Sequence, residues 1–267
     1  MKQDERRTWL LKYLINENKE YQNISIPILK TEQKKLLRAL MNLRAPNAIS
    51  KQFIEIQNDY LIAELKNKKL TNIKELVPME KGIYLWQGDI TTLQVDAIVN
   101  AANSAMLGCF IPNHGCIDNA IHSNAGVQLR ITCNEIMDGQ GCIEPTGKAK
   151  ITSAYNLPSS FIIHTVGPII HNQVTKKDCQ LLASCYSSCM ELAKEYQLKS
   201  IAFCCISTGE FHFPNDMAAT IAIDTVRDIL EDKSIEMEVI FNVYKESDYK
   251  IYKRLLGTNL RSQAINK

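Results

Sequence analysis

No run of eighteen apolar residues occurs in the 267-residue chain, which excludes a membrane-spanning helix of ordinary length. The N-terminal stretch MKQDERRTWLLKYLINENKE is too charged to contain a secretory h-region, so a cytoplasmic protein is expected. Internal repeats and low-complexity tracts are missing as well. The nine cysteines are odd in number and come without an export signal, which argues against a disulfide framework and for reduced thiols, most of them in the core.

What remains is ordinary globular material, 45% hydrophobic and 22% charged, enough for a sizeable core. The net charge of +2 is unevenly spread: residues 1–76 carry 15 Lys/Arg against 9 Asp/Glu, so the rest of the chain is net acidic. The basic half has no interleaved aromatics and reads as a solvated face, so nucleic acid is not an expected partner.

Two textures follow one another along the chain. Residues 1–76 read as helices, with apolar stripes at Trp9, Leu10, Tyr13 and Leu14, at Leu36, Leu37, Leu40 and Met41, and at Phe53, Ile56, Tyr60 and Leu61, broken at Pro27 and Pro46. From about residue 80, the runs GIYLWQGD, DAIVNAAN, KAKITSAY, FIIHTVGP, IAFCCIST and MEVIFNVY read as strands, several of them buried on both faces. Helical patterns lie between them, at Cys179–Ala193 and Met217–Leu230. This alternation predicts a three-layer α/β/α domain over residues 77–267, preceded by a small helical region over 1–76, with ligands where loops leave the strands' carboxyl ends.

Three polar loops follow predicted strands: QGDI at 87–90, NAANSAMLGCFIPNHGCIDNAIH at 100–122 and STGEFHFP at 207–214. Their glycines would let backbone N–H groups approach phosphate oxygens, and a helix start adds a favourable dipole. Within the second loop, Cys109, His114 and Cys116 form Cys-x4-His-x-Cys, three borderline-soft donors that Pro112 and Gly115 can fold around zinc. Three protein ligands leave one tetrahedral position open, as catalytic zinc sites do, although Cys133, Cys142, His122 or His212 could close it in space.

The segments GDIT, DAIVNAAN, IDNAIH, PTGKAKIT, IHTVGP and ISTG followed by FP occur in the order seen in macrodomains, and over about 82–260 the chain resembles that ADP-ribose-binding family with its mixed central sheet. The resemblance implies that Asp89, with Ile90 beside it, reads the adenine amino group. It places Asn100 and Asn103 at the proximal ribose as the candidate catalytic residues, with Asn103 holding the hydroxyls. It gives the diphosphate to Ser207, Thr208 and Gly209 and to the helix start at Asp118, Asn119 and Ala120.

Two departures matter. GCFIPNHGCID stands where common macrodomains have a glycine-rich stretch, and EFHF stands where they have a small hydrophobic residue, Tyr, Gly and Tyr, so Glu210, Phe211 and His212 are candidate ligand contacts without a borrowed role. The longer loop resembles that of the zinc-containing branch found in bacteria and fungi, often encoded beside a sirtuin-type ADP-ribosyltransferase. That resemblance implies one zinc per chain with an open coordination position, and a hydrolase that removes mono-ADP-ribose from acidic side chains of modified proteins. The competing expectation is a non-catalytic reader of ADP-ribose with a structural zinc. His164 and His122 are expected in the core, His171 at the surface, Cys204 and Cys205 in a strand, and Asp118 as a helix cap or a base.

Overall fold

The computed structural model describes residues 1–232 and 235–265. The chain opens with α1 (Gln3–Glu17), α2 (Lys30–Leu43) and α3 (Lys51–Lys66), separated at Pro27 and Pro46 as the sequence predicts. Each helix buries its apolar stripe against the others. Leu10, Leu14, Leu37, Leu40, Phe53 and Tyr60 form one cluster, and the Tyr13 and Phe53 rings meet at 4.9 Å. Ser50 starts α3 by accepting the N–H of Phe53, the bond that a serine cap exists to make.

A linker strand, β1 (Thr71–Asn72), leads to β2 (Pro78–Glu80) and β3 (Ile83–Gln87), then β4 (Leu93–Gln94) and β5 (Ala97–Ala101). Next come α4 (Ile117–Ala125), α5 (Val127–Gln140), β6 (Ala149–Ser153), β7 (Phe161–Thr165), α6 (Lys176–Glu195), β8 (Ser200–Phe203), α7 (Asn215–Leu230), β9 (Glu238–Val243) and α8 (Glu246–Ile265). Seven strands form one sheet in the order β2-β3-β9-β8-β5-β7-β6; its centre is parallel and its two edge pairs are antiparallel. The mixed sheet follows from the connections: β7 to β8 crosses over β5 through α6, and β8 returns to its neighbour β9 through α7, which keeps these strands parallel, whereas β2–β3 and β6–β7 are joined without a helix and run antiparallel. Tyr186 of α6 packs on Phe203, and Tyr252 of α8 on Phe241, while α4 and α5 cover the other face. The central strand β5 is apolar at Ala97, Ile98 and Val99, all without solvent exposure, as a strand covered on both faces must be.

In the helical region expected over 1–76 the last α-helix ends at Lys66; Thr71 and Asn72 pair with Leu93 and Gln94, and one short helical turn follows at Ile73–Glu75. It is bonded along its length to the sheet domain. Gln57 Oε1 accepts the N–H of Val127 at 2.9 Å, and Asn58 Oδ1 accepts from Asn156 Nδ2 at 2.8 Å. Val127 itself belongs to the helical cluster. The layer braces α4 and α5, the two helices nearest the loops described next.

Candidate functional site

All three predicted loops leave the carboxyl ends of parallel strands, where an open α/β sheet offers its crevice. At the end of β3, Asp89 caps the short helical turn Ile90–Thr92: its Oδ1 accepts from Thr91 N (3.0 Å) and Thr91 Oγ1 (2.6 Å). Burial works to raise its pKa, but Thr91 and Lys68 outweigh it, and the carboxyl is held below its ordinary value. Lys68 arrives from the segment after α3 and donates to Asp89 Oδ2 at 3.2 Å and to Asn124 Oδ1 at 3.3 Å. Ile90 is buried beside it.

At the end of β5, Asn100 is fully buried and Asn103 half-buried. Parallel register sets Asn100 beside His164 of β7, and Asn100 Nδ2 donates to Asp118 Oδ1 at 2.8 Å. Asn103 Nδ2 donates to the carbonyl of Gly108 at 3.1 Å and lies 3.4 Å from Asp118 Oδ2. Asp118 therefore sits behind both asparagines, where burial, only partly offset by Asn100, pushes its pKa up to about 6. It is not the helix cap: Cys116 is, its Sγ accepting the N–H of Asn119 at 3.4 Å. The Ala120 N–H ends on the Cys116 carbonyl at 3.1 Å, so the amides this turn offers to a ligand are those of Ile117 and Asp118 ahead of it.

At the end of β8, Cys204 and Cys205 lie just past the strand in which they were expected, Cys204 buried and Cys205 partly so. Ser207 is buried at φ 64°, and His212 is exposed at φ 58°. Thr208 Oγ1 donates to Cys205 O at 3.0 Å, and Gly209 and Glu210 are exposed. The Phe211 carbonyl accepts the N–H of Ile170 at 2.8 Å, tying this loop to the one after β7. That approach requires Gly167: a Cβ there would stand 2.0 Å from Ser207 Oγ.

The metal loop brings its donors together. Those of Cys109, His114 and Cys116 all lie within 4.8 Å of one another, and His114 Nδ1 is 3.6 Å from Cys109 Sγ. The other ring nitrogen, Nε2, is 3.6 Å from Glu210 Oε1 of the loop after β8. Burial, with Cys109 beside it, pushes the Cys116 thiol well up, a repulsion that a divalent cation between the sulfurs would reverse. Soft donors, close spacing and half-burial fit zinc. Of the residues considered for a fourth ligand, Cys142 and His212 are exposed, and His122 and Cys133 instead group with His164 in the core. Gly108, at φ 77°, presses on the His122 ring, where a Cβ would come within 2.7 Å.

His164 is a core histidine, as expected, and His171 is exposed. His164 Nδ1 lies 3.2 Å from Asn100 Nδ2 and its Nε2 is 2.9 Å from Thr152 Oγ1. Burial lowers its pKa from 6.5 to about 3. As pH falls, the unfolded chain takes up this proton first, so the stability His164 confers is complete above about 6.5 and is lost progressively toward 3. Between pH 7 and pH 5 that amounts to about 2 kcal/mol. Urea titrations of the wild type and of His164→Gln should show a shallower acid loss in the variant; equal slopes would remove His164 as a source.

Three contributors carry no sequence signal of their role: Lys68 on Asp89, Arg38 on the metal loop and Arg130 beneath it. Each acts across more than twenty residues of sequence; helical spacing marks Arg38 and Arg130 only as polar positions, and Lys68 lies past the end of α3.

The sheet order and the convergence of these loops define an open α/β domain with a ligand crevice at the carboxyl ends of its parallel strands. A Macro domain family model matches residues 99–222. A protein-ADP-ribose hydrolase of Treponema medium is 52% identical over 261 residues, spanning 96% of this chain and 100% of that protein. One from Staphylococcus aureus is 46% identical over 253 residues, covering 92% and 95%. The crystal structure of the Trypanosoma brucei macrodomain in complex with ADP-ribose is similar at a TM-score of 0.64 and 32% identity, over 82% of this chain and 95% of that one. The Oceanobacillus iheyensis macrodomain with ADP matches at 0.61 and 39%, over 67% and 92%. The chain belongs to the macro domain family, among its protein-ADP-ribose hydrolases.

Proposed function

We propose that this protein removes mono-ADP-ribose from acidic side chains of modified proteins, with zinc held by Cys109, His114 and Cys116. One observation carries the reading: the three metal-ligating atoms converge within 4.8 Å in a loop whose Gly108 carbonyl is bonded to Asn103. A bound zinc supplies either a water with a pKa near 7 or a Lewis acid at a ribose hydroxyl or the C1'' ester.

The remaining work falls to the chain itself. Asp89, held ionised by Thr91 and Lys68, accepts from the adenine amino group, with Ile90 as its apolar wall. Ser207, Thr208 and Gly209 face the diphosphate from one side and the α4 start from the other, so phosphate charge meets backbone N–H groups. Asn103 holds the ribose hydroxyls, and Asn100 and Asp118 fix Asn103 from behind. Hydrolysis of the ester places a water oxygen in the products and returns ADP-ribose and a free carboxylate. An ADP-ribosyltransferase must supply the substrate, of sirtuin type in the branch that the loop resembles.

Incubated with a protein carrying mono-ADP-ribose on glutamate, the wild type is expected to release ADP-ribose, and a strong chelator to stop the release. Asn103→Ala should lower the rate about 100-fold, the cost of a misplaced reacting centre. Release from serine- or arginine-linked substrates alone would overturn the acidic-linkage reading. Capture of the modified protein without release would return the chain to a reader with a structural metal. Among the described residues no helix is long and apolar enough to cross a membrane.

A further inference from the structure

We infer that Arg38, on α2 of the helical layer, is a positioning residue for the metal loop, setting its affinity for zinc from outside the sheet domain. The inference rests on the zinc reading above and adds to it a dependence on a residue about seventy positions upstream.

The loop from Cys109 to Cys116 lies outside any helix or strand and turns through Pro112 and a positive φ at Asn113. Ordering such a segment around an ion costs conformational entropy unless something else already orders it. Side chains from two helices do so at three successive backbone points. Asn119 Nδ2 donates to the Ile111 carbonyl at 2.9 Å. Asn42 Oδ1 accepts the N–H of Asn113 at 3.0 Å. Arg38 Nη2 donates to the His114 carbonyl at 3.0 Å.

Arg38 governs two of these points. Its Nε (3.1 Å) and Nη2 (2.7 Å) both close on Asn119 Oδ1, fixing the amide whose other end holds Ile111. Asn119 is fully buried, so this fork is shielded from competing water. Arg38 thus places the backbone of a metal-ligating histidine directly and the middle of the loop through Asn119. A lysine cannot repeat this, because one ammonium does not present the planar fork.

The test is zinc affinity, measured by competition with a chromophoric chelator, alongside melting temperatures with and without zinc. Arg38→Met is expected to weaken zinc binding 10- to 100-fold, the usual cost of losing a group that orients a ligand. Its metal-free melting temperature should fall by only a few degrees, as for a buried acceptor that loses its donor, while the rise on adding zinc shrinks. Arg6→Ala, which removes an exposed pair with Asp59, should leave the affinity unchanged. Wild-type affinity in Arg38→Met, or an equal loss in Arg6→Ala, would overturn the inference. Should Arg38→Met not fold, Arg38→Lys carries the test, and wild-type affinity in it is likewise fatal. A wild-type protein that takes up no zinc in reducing buffer at neutral pH sinks the zinc reading itself, and this inference with it.

Discussion

Cys116→Ala is expected to purify with far less than one zinc per chain and to lose turnover by at least about 100-fold, the scale of several kcal/mol of charge stabilisation. Binding of free ADP-ribose should change less, because in the proposed reading Asp89 takes the adenine and Ser207, Thr208 and Gly209 one side of the diphosphate, and Cys116 bears on the ligand only through the α4 start that it caps. The residue has two tasks, and they can be separated. Its sulfur is one of the three donor atoms that converge in the proposed zinc loop and also the N-cap of α4, accepting from Asn119 N at 3.4 Å. Loss of a cap costs on the order of 1 kcal/mol. Cys116→Ser restores a capping oxygen but is a poor zinc ligand, so it should regain most of the stability and none of the activity. Elemental analysis, calorimetry with ADP-ribose and a release assay on the same preparations check this, and full turnover without metal would refute the role of zinc.

The fold was legible wherever burial imposes a period. The six strand runs from GIYLWQGD to MEVIFNVY correspond to β3, β5, β6, β7, β8 and β9; β5, β7, β8 and β9 are short apolar runs because they are covered on both faces, and the half-buried β3 and β6 show through their β-branched and aromatic residues. The stripes of α1, α2, α3, α6 and α7 are legible for the same reason. β2 and the β1–β4 pair are short, half-exposed and without a period. α8 has Tyr252 and Leu256 four apart, but flanking charges blur its pattern.

At the site, spacing announces Cys109, His114 and Cys116, since three soft donors in eight residues have few other uses. The capping of α4 is less legible. An aspartate two residues past a helix start looks like a cap, but here Asp118 turns inward to Asn100 and a cysteine takes the cap. Gly108 and Gly167 are legible only as loop glycines; what they make room for, the His122 ring and the Ser207 hydroxyl, is a fact of three dimensions. Periodicity tells which face of a helix is covered and nothing about which distant carbonyl an exposed-looking arginine will find.

Arg130 is where that limit has its largest energetic consequence. Arg130→Met is expected to destabilise the protein by about 3–5 kcal/mol, lowering its melting temperature by on the order of 10 °C. The side chain is buried, and its donors all end on backbone carbonyls. Nη1 reaches Met41 (3.2 Å), Asn42 (2.7 Å) and Arg44 (2.5 Å) at the end of α2. Nε reaches Leu107 (2.6 Å) and Nη2 Cys109 (3.4 Å), in the chain leading into the metal loop. Burial lowers its pKa to about 10, which still leaves it charged at neutral pH, and the negative end of α2 favours that charge. Methionine fills similar space but leaves five carbonyls without this donor, and an unpaired buried acceptor costs about 1–3 kcal/mol before relaxation. Arg130→Lys can serve only some of them and should fall between. Unlike Arg38→Met, which should cost chiefly metal affinity and only a few degrees of melting temperature, Arg130→Met should cost both heavily. Its carbonyl contacts span the joint between the helical layer and the sheet as well as the start of the metal loop. The wild type should accordingly unfold in one transition, and a variant melting within about 2 °C of it, or melting in two steps that leave the sheet domain intact, would show that the two layers do not depend on this cation.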